Sequence, residues 1–507
     1  MALSEVVVKK GEGGLGRPLE GEDHISGMLF FSATLPTSSI PDGFTTNSRV
    51  KPLYSLQDAE KYGIKGDYSN ETKATGKIKI ATVGTVGDKI SVVINGVTLG
   101  SYTTITGDTV NTIAAGVGNM INTGFNVHGY RATVLTDEVT ITAKAGAGLA
   151  ANSYTITTPI TGTATTTITA FTLGANDPYV VMWYHISEFF RMNPKGVLWL
   201  GIYAVPGTLN FSEITLMNII ADGKIRQMGV FQTGTAFNIS QVQSLQAAAA
   251  SEDDNNRPLS IIYASDISAS TLSSLTDLSI AASPKVSVII GQDGAAMGNT
   301  LYTYTGKSVT GMGALLGTIS SAKVSSCIAH VEKYNISNVE NDTAAFGNGV
   351  QYKTVAIGLL QQLNSFGYIF YRKFYEFSGT FFSSSVTTTA STSDYFTIEN
   401  NRTIDKAKRG LRKVYVPKLN SPLLVDSNGD LQADTVANLR SVGNSALQEM
   451  INNEEISPIP ENSPKKMLDI DPDQDVLATS KLVVTVNIIP VGVAKTIEVN
   501  LKYTKSI

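Results

Sequence analysis

The chain has 507 residues, enough for about three domains, and its single cysteine, Cys327, excludes an internal disulfide framework and a zinc site built from cysteines. Its 39 basic and 43 acidic side chains nearly balance, so its charge gives no reason to expect nucleic acid or a membrane surface as a partner. Charged residues make up only 16 % of the chain, below the roughly 25 % of ordinary globular proteins, which favours a protein that is covered in an assembly.

The first 25 residues are predicted to form an arm. Val6, Val7 and Val8 could make a short strand, but the GEGGLGRPLEGED that follows offers nothing to build a core. The chain becomes apolar from Ile25, and SLQDAEKYGI is predicted to be a helix that ends at Gly63.

Residues 74–175 are rich in threonine, glycine, alanine and valine and nearly free of charge. The Asn95-Gly96 pair between alternating strands is a strong hairpin signal. Asp108 is predicted to cap the helix that follows, and two further strands are expected on either side of Asp137. We interpret this stretch as an inserted β-rich domain with one helix.

From residue 176 onward, helices alternate with continuous apolar strands. Four helix-to-strand units, the last with a helix over TLSSLTDLSIAA (271–282), predict a largely parallel sheet with helices on both faces. Further helices are expected over about 309–321 and 354–363, and a long strand over GYIFYRKFYEFSGTFFSS (367–384).

The last hundred residues are predicted to form an α+β unit. Its first helix is expected from Ile404 to about Lys413, and its second over TVANLRSVGNSALQEMIN. After the linker SPIPENSPKK come the closing strands, where Ile497, Val499, Leu501 and Tyr503 alternate with polar residues and give one apolar face. Such a strand needs a neighbour, because an unpaired apolar strand is a template for another chain.

The predicted fold is therefore α/β and α+β multidomain. Its parts are an N-terminal arm (1–25), an α/β core (26–73 and 176–395), an inserted β-rich domain (74–175), a C-terminal α+β unit (396–493) and a closing segment (494–507).

Several local patterns imitate active sites without completing one. The GxGxxG at residues 11–16 lacks a following helix, and TGKS at 305–308 lacks the earlier glycine of a phosphate-binding loop. Cys327 and His330 lie three residues apart on a predicted helix, so a thiolate–imidazole pair is conceivable, but core packing is favoured in this apolar stretch.

Acidic turns leave a cation site open as an alternative. DSNGD (426–430) lacks the spacing of a calcium loop and is interpreted as a tight turn. Asp469, Asp471, Asp473 and Asp475 could collect a cation if the backbone curled around it, although a solvated acidic turn is favoured.

One dense basic patch, KAKRGLRK, lies on the first helix of the C-terminal unit. Lys406, Arg409, Arg412 and Lys413 are predicted to share one side of that helix. They form either a solvated face or a contact stripe for an acidic partner surface.

Taken in order along the chain, these parts resemble contractile tail sheath proteins, in particular the phage-type group with a single-chain sheath subunit. The resemblance covers nearly the whole chain and is strongest over 400–503, where NNRTIDKAKRGLRKVYVPKLNSPLL and DIDPDQDVLATSKLVV precede the closing strands. Over 76–157, GKIKIATVG, INGVTLGSYTTITGDTVNTIAAGV and VTITAKAGAGLAANSYTI resemble the β module inserted in sheaths of Mu-like phages. No single motif is diagnostic, and the specificity lies in the order of the parts.

The resemblance implies a structural subunit that polymerises as stacked hexameric rings around an inner tail tube and contracts to drive the tube through a target envelope. It implies no catalytic residue, cofactor or metal. The implied partners are further copies of the chain in a six-fold ring and helical lattice, the inner tail tube protein, and baseplate and tail terminator proteins, without nucleic acid or direct membrane insertion. The implied location is the host cytoplasm during assembly, and then a virion tail or a phage-tail-like particle.

The resemblance also implies roles for particular segments. In sheaths, terminal arms add strands to the sheets of neighbouring subunits. Carried over by position, the intersubunit arms are Val6, Val7, Val8, Ile497, Val499, Leu501 and Tyr503, and the receiving strand is Leu482, Val484, Val486 and Ile488. The hypothetical tube contact is Lys406, Arg409, Arg412 and Lys413.

Two other classes of function remain as alternatives. The threonine-rich module suggests a secreted or surface β-rich adhesin, but the first residues lack a secretory signal and the core has helix–strand units. An enzyme on the α/β core would hold its ligand at the strand C-terminal ends, where Asp266 and Asp293 are the available acids, with no evident base.

Overall fold

A computed structural model describes residues 21–232, 234–427, 429–460 and 463–503. Its helices are α1 (Leu56–Lys61), α2 (Val110–Thr123), α3 (Phe125–His128), α4 (Val180–Met192), α5 (Glu213–Ile220), α6 (Ile239–Asp254), α7 (Met297–Thr305), α8 (Met312–Ser321), α9 (Ile357–Ser365), α10 (Ile398–Tyr415), α11 (Ala433–Asn452) and α12 (Val476–Thr479). Its strands are β1 (Ile25–Phe31), β2 (Val50–Leu53), β3 (Thr75–Thr82), β4 (Lys89–Ile94), β5 (Val97–Thr103), β6 (Arg131–Leu135), β7 (Glu138–Thr142), β8 (Ile156–Thr157), β9 (Ile160–Thr161), β10 (Thr165–Thr172), β11 (Val197–Tyr203), β12 (Gln227–Phe231), β13 (Ser260–Ala264), β14 (Val286–Ile289), β15 (Gly291–Asp293), β16 (Ala344–Phe346), β17 (Tyr368–Ile369), β18 (Tyr371–Phe374), β19 (Phe377–Phe382), β20 (Ile456–Ser457), β21 (Leu468–Asp469), β22 (Thr485–Val486) and β23 (Ile489–Pro490).

A seven-stranded sheet in the order β17-β14-β13-β12-β1-β11-β2 forms the core. Its neighbours pair in parallel except β2, which runs antiparallel to β11 at one edge. Met28 and Phe30 of β1 pack with α4 and α8 on one face, whereas Leu29 packs with α5 and α6 on the other. Both faces are therefore covered, which explains why the strands are continuously apolar. The predicted mixed α/β fold with a largely parallel sheet is confirmed.

The helix predicted over 271–282 is wrong. The segment forms only two short 3₁₀ turns, Leu272–Ser274 and Ser279–Ala281. The Asp277 carboxylate accepts a hydrogen bond from the Ser279 backbone N–H at 2.9 Å, and the Ser274 hydroxyl donates to the Thr271 carbonyl at 2.9 Å. Such local bonds compete with helical ones, while the buried leucines of the segment keep it on the core without a helix.

The long strand predicted over 367–384 is also wrong. Only β17 joins the sheet, and the chain then folds back on itself as the β18–β19 hairpin. Phe374 lies opposite Phe377 across a two-residue turn in which Glu376 has φ of 60°. Because a non-glycine residue in the left-handed region carries no simple sequence signal, the apolar pattern on both sides looked continuous.

Residues 74–175 pack around an apolar cluster of their own, formed by two four-stranded sheets and α2. The expected hairpin turn is present, with φ of 48° at Asn95 and 80° at Gly96, as a type I′ turn requires. The expected cap of α2 is displaced by one residue. Thr109 is the N-cap, in a reciprocal pair with Thr112, while the Asp108 carboxylate accepts from the Ile105 backbone N–H at 2.8 Å.

Helix α10 begins six residues before the predicted start at Ile404. Thr397 caps it by accepting a hydrogen bond from the Asn400 backbone N–H at 3.3 Å. The first turns of α10 bury polar side chains. A prediction that looks for apolar residues on the buried face of a helix therefore misses these turns. Arg402, for example, donates to the backbone carbonyls of Ala322 and Lys323. Buried polar groups are stable only when they are bonded in this way.

Among the described residues, none of the helices has both the length and the apolar character needed to cross a membrane.

Candidate assembly surfaces

The closing segment of the described chain is exposed along its whole length. Residues 491–503 belong to no helix or strand. Ile497, Val499, Leu501 and Tyr503 are 81 %, 72 %, 91 % and 108 % exposed, respectively. The alternating apolar side chains therefore lie in solvent, and the predicted strand is not formed within the single chain. Apolar side chains exposed in a row are typical of a surface that another molecule covers.

One side chain of this segment contacts the folded core. The Lys495 Nζ atom lies 4.2 Å from the centre of the Phe396 ring, just before the start of α10. The nearby Glu399 carboxyl is buried, which raises its pKa, and accepts a hydrogen bond from the Ser385 hydroxyl at 3.0 Å. The positive charge of Lys495 opposes that rise in pKa.

The predicted receiving strand is shorter than expected. Of Leu482–Ile488 only Thr485–Val486 is a strand, β22, which pairs with β21, and the next two-residue strand, β23, pairs with β20. The Gln474 side chain bonds both backbone groups of Val483, at 2.6 and 3.0 Å, and so ends the pairing there. The four expected receiving side chains nevertheless pack against the small apolar clusters of the C-terminal unit: Leu482, Val484, Val486 and Ile488.

Of the predicted N-terminal arm (1–25), residues 23–25 take part in the folded core. Val6, Val7 and Val8 lie outside the described residues. Ile25 already begins β1, and the Asp23 carboxylate is bound by Lys406 at 2.8 Å and by Arg409 at 2.6 Å. Burial alone would raise the pKa of Asp23, but the hydrogen bond and positive charge of Lys406, with the charges of Arg409 and Arg402, lower it.

The basic patch divides into an inward and an outward pair. Lys406 also binds Glu455 at 2.6 Å, so it joins three parts of the chain: the root of the arm, α10 and the residues after α11. Arg409 is largely enclosed beside Asp23. Arg412 and Lys413 are exposed and make no ion pair with any described residue. The expectation of one outward stripe of four cations is therefore wrong for Lys406 and Arg409.

Sequence reasoning missed the cluster of Asp23, Lys406, Arg409 and Glu455. Asp23 lies 386 residues from Arg409 in the numbering, in the segment predicted to be an arm, and Glu455 lies 46 residues from Arg409, between the second predicted helix and the linker. Only the high density of basic residues on this helix hinted at internal partners.

The two aspartates at the strand ends have structural partners. Asp266 is bound by Lys307 at 2.9 Å and by the Ser308 hydroxyl at 3.2 Å. Burial would raise the pKa of Asp266, but hydrogen bonds from Ser268 and Lys307 outweigh it, and its pKa is lowered. Asp293 accepts from the Gly298 backbone N–H at 3.0 Å in the first turn of α7, and burial raises its pKa.

Cys327 and His330 are not on a helix as expected but at the two ends of one turn, which the His330 backbone N–H closes by donating to the Cys327 carbonyl at 3.1 Å. The Cys327 Sγ atom lies 3.3 Å from the Ser385 hydroxyl, whereas His330 faces Glu332 at 3.8 Å. Burial raises the pKa of the Cys327 thiol, which favours the unreactive protonated form.

The two acidic turns lie close together. Burial and the charges of Asp426, Asp473, Asp471 and Asp475 raise the pKa of Asp430. The carboxylates also bind backbone N–H groups of their own turns, as Asp475 does with Ala478 at 2.8 Å. Within the described residues, no three histidine, cysteine, aspartate or glutamate side chains are grouped so that they could hold a metal ion.

Comparison with solved structures finds tail sheath proteins. The sheath tail protein of Desulfitobacterium hafniense is 11 % identical with a TM-score of 0.40, over 92 % of this chain and 93 % of that chain. The sheath tail protein Lin1278 of Listeria innocua is 11 % identical with a TM-score of 0.42, over 94 % and 93 %. The helical sheath of the anti-feeding prophage in its contracted state is 16 % identical with a TM-score of 0.45, over 64 % and 81 %. The sequence resembles the same family of proteins.

A search of the curated proteins found no match. Two family models match the sequence: the N-terminal domain of DUF2586 over residues 223–386 and the C-terminal domain of DUF2586 over residues 394–507. The two domains occur in the order of the family and together span more than half of the chain. The chain therefore belongs to the DUF2586 family.

Proposed function

We propose that this protein is the sheath subunit of a contractile tail, a structural protein that polymerises around an inner tube. The observation that carries the proposal is the exposed closing segment, in which Ile497, Val499, Leu501 and Tyr503 have no cover in the single chain. Its period-two pattern matches the pleat of a strand, so a sheet edge on another copy is the partner that suits it best. The resemblance of the whole chain to sheath proteins supports the same conclusion.

The energetics of such a joint suit a large assembly. Each main-chain hydrogen bond gained contributes about 0.5–1.5 kcal/mol, and buried apolar surface adds about 25 cal/mol per Å². One added strand is a modest contact, but every subunit of a lattice makes it, so the assembly is held by many equal joints. Main-chain pairing can also persist while the subunits change their orientation.

The finer features of the proposal follow the resemblance. The subunits form stacked hexameric rings around the tube and meet baseplate and tail terminator proteins at the two ends. The extended sheath is metastable and contracts to a lattice of lower free energy, so contraction needs no nucleotide. The assembly forms in the host cytoplasm and becomes part of a virion tail or a phage-tail-like particle.

Two surfaces receive proposed roles within that assembly. The C-terminal unit, where Val486 lies on β22 and Val484 packs beside it on the same apolar cluster, receives the closing segment of a neighbour. Of the basic patch, only Arg412 and Lys413 are proposed to contact the inner tube, because Lys406 and Arg409 bind partners inside the chain.

Deletion of residues 494–507 tests the arm. The shortened protein should keep its circular dichroism spectrum and elute as a monomer, because residues 494–503 contribute nothing to the described apolar clusters. In negative-stain electron microscopy it should form no ridged tubes, whereas the full chain should form them.

A matched pair of triple variants separates pairing from simple loss of chain. Serine at Ile497, Val499 and Leu501 should abolish the tubes, whereas serine at Glu498, Asn500 and Lys502 should leave them intact. Ordered tubes from the deletion variant, or equal behaviour of both triple variants, would contradict the proposed role of the closing segment.

A further inference from the structure

The inserted module contains a cavity that plays no part in the proposed assembly. It has a volume of about 440 Å³ and lies between the β4–β5 turn and the junction of α2 with α3. Its walls include the buried side chains of Ile94, Leu99 and Tyr130. The volume is within the range of roughly 300–1,000 Å³ that is usual for small-molecule sites.

Polar side chains with unused bonding capacity line the cavity. Asn95, Lys144 and Tyr154 all line it, and none of these side chains makes a hydrogen bond with another residue in the described part of the chain. His128 has a defined role, because its Nδ1 atom accepts from the Tyr130 backbone N–H at 3.1 Å. Its proton is then on Nε2, which is buried at the end of α2, where the Ile121 backbone carbonyl favours the protonated ring but no described group completes a hydrogen bond of good geometry. A donor fixed in this way is suited to a ligand oxygen.

The charge of the lining favours an anion. No aspartate or glutamate lines the cavity, and the exposed Lys144 has no acidic partner in the described residues. An anionic group close to Lys144 would therefore be attracted without opposing charge from the lining.

The mouth of the cavity is apolar. Val97 and Val127 line it and are 54 % and 92 % exposed, so they are free to contact a ligand. A ligand that satisfies the whole lining needs an anionic group, several hydroxyl groups and a C–H surface. Sugars with a carboxylate or a phosphate group combine these properties, whereas a bare inorganic anion supplies only the first.

We propose that this cavity of the inserted module binds an anionic sugar, with the acidic group at Lys144 and hydroxyl groups at Asn95, His128 and Tyr154. The proposal is independent of the sheath assembly, because all of these residues belong to the inserted module and none lies on the closing segment. Binding can be measured on the full-length protein whether or not it polymerises.

Saturation-transfer NMR with the full-length protein tests the site directly. The probes are glucuronic acid, glucose 6-phosphate, glucose and acetate. We expect glucuronic acid or glucose 6-phosphate, or both, to bind at least tenfold more tightly than glucose and acetate. The stronger of the two acidic probes tells whether the site prefers a carboxylate or a phosphate.

Three variants assign the binding to this cavity. Lys144→Ala should weaken the binding of the acidic probe at least tenfold. Lys89 is an exposed lysine of the same module away from the cavity, so Lys89→Ala should leave the binding unchanged. Val127→Trp should block the mouth without disturbing the fold, because position 127 is exposed. The proposal is overturned if neither acidic probe binds, if glucose or acetate binds equally well, or if Lys144→Ala and Val127→Trp bind as the unaltered protein does.

Discussion

The carboxylate of Asp23 connects the first strand of the core to the C-terminal unit through α10. It binds Lys406 and Arg409, and its backbone carbonyl accepts from Arg402 at 3.4 Å. Three cations on one helix would repel one another if this carboxylate were absent. Asp23 is therefore a structural residue that ties the segment before β1 to α10.

We expect Asp23→Asn to lower the free energy of unfolding by about 1.5–3 kcal/mol, the range for hydrogen bonds to charged groups, because Lys406 and Arg409 lose their shared anion. Urea denaturation followed by circular dichroism measures the change. Asp222→Asn is the matched control, since its pair with Lys224 at 3.5 Å is exposed and should be worth less than about 1 kcal/mol. Equal effects of the two variants would contradict the assigned role.

The same residue predicts a dependence of stability on pH. Its ion pairs hold the pKa of Asp23 in the folded protein below the ordinary value of about 4, so their stabilisation is present above that pH. It is lost as the pH falls through the lowered pKa. Between pH 5 and 2 the unaltered protein should therefore lose more stability than Asp23→Asn. Parallel curves in urea denaturation would show that Asp23 is not the titrating group.

Individual elements show why the sequence predicted some parts of the fold and not others. Strands β12, β13 and β14 were predicted because they are buried on both faces and therefore continuously apolar. The early start of α10 and the absence of a helix over 271–282 depend on bonds from polar side chains, such as those of Arg402 and Asp277. Their partners are set by tertiary structure or by local competition, which apolar periodicity does not record.

The candidate surfaces also divide into features that one segment shows by itself and features that depend on tertiary contacts. The apolar alternation from Ile497 to Tyr503 could be read directly, whereas the internal partners of Lys406 and Arg409 could not, because Asp23 and Glu455 are distant in sequence. The run of basic residues on α10 predicts that the helix has acidic partners. It does not tell whether those partners lie inside the chain or on another molecule.

The turn between β4 and β5 gives a prediction for one element. Gly96 has φ of 80° and an added Cβ atom would meet nothing within 4 Å, so Gly96→Ala should cost about 1–2 kcal/mol through backbone strain alone. Gly358 in α9 also has open space but ordinary φ, so Gly358→Ala should stabilise the protein by about 0.4–1 kcal/mol. Urea denaturation of both variants measures the effects. Changes of the same sign would contradict this account of the turn.

Helix α10 gives a second prediction at this scale. The Thr397 hydroxyl caps its first turn, so Thr397→Ala should lower the free energy of unfolding by about 1 kcal/mol. Thr397→Ser keeps the hydroxyl and should recover most of that loss. If alanine and serine were equally destabilising in thermal unfolding, the methyl group rather than the cap would be responsible.

At the scale of the whole molecule, one pair of residues of the basic patch contributes to the stability of the fold, and the other pair is available for assembly. Lys406 binds both Asp23 and Glu455, which follows α11, and Arg409 binds Asp23, while Arg412 and Lys413 continue the same helix into solvent. A contact through exposed charges is screened by salt and is worth less per pair than a buried one. Repeated around a ring of the proposed sheath, however, such pairs would set the register of the subunits on the proposed inner tube without affecting the folding of each subunit.

We therefore expect the double variant Arg412→Glu, Lys413→Glu to fold normally and to form tubes by itself, but to assemble poorly around the inner tube protein. Co-sedimentation with preformed tubes measures this binding. Raising the salt concentration should reduce the binding of the unaltered protein toward that of the variant. Lys481→Glu, another exposed position in the C-terminal unit, is the control for a change of charge alone. Arg409→Glu should instead impair folding, because it places a second acid beside Asp23. Undiminished co-sedimentation of the double variant would rule out Arg412 and Lys413 as the tube contact, and the basic character of α10 would then serve the internal bonds of Lys406 and Arg409.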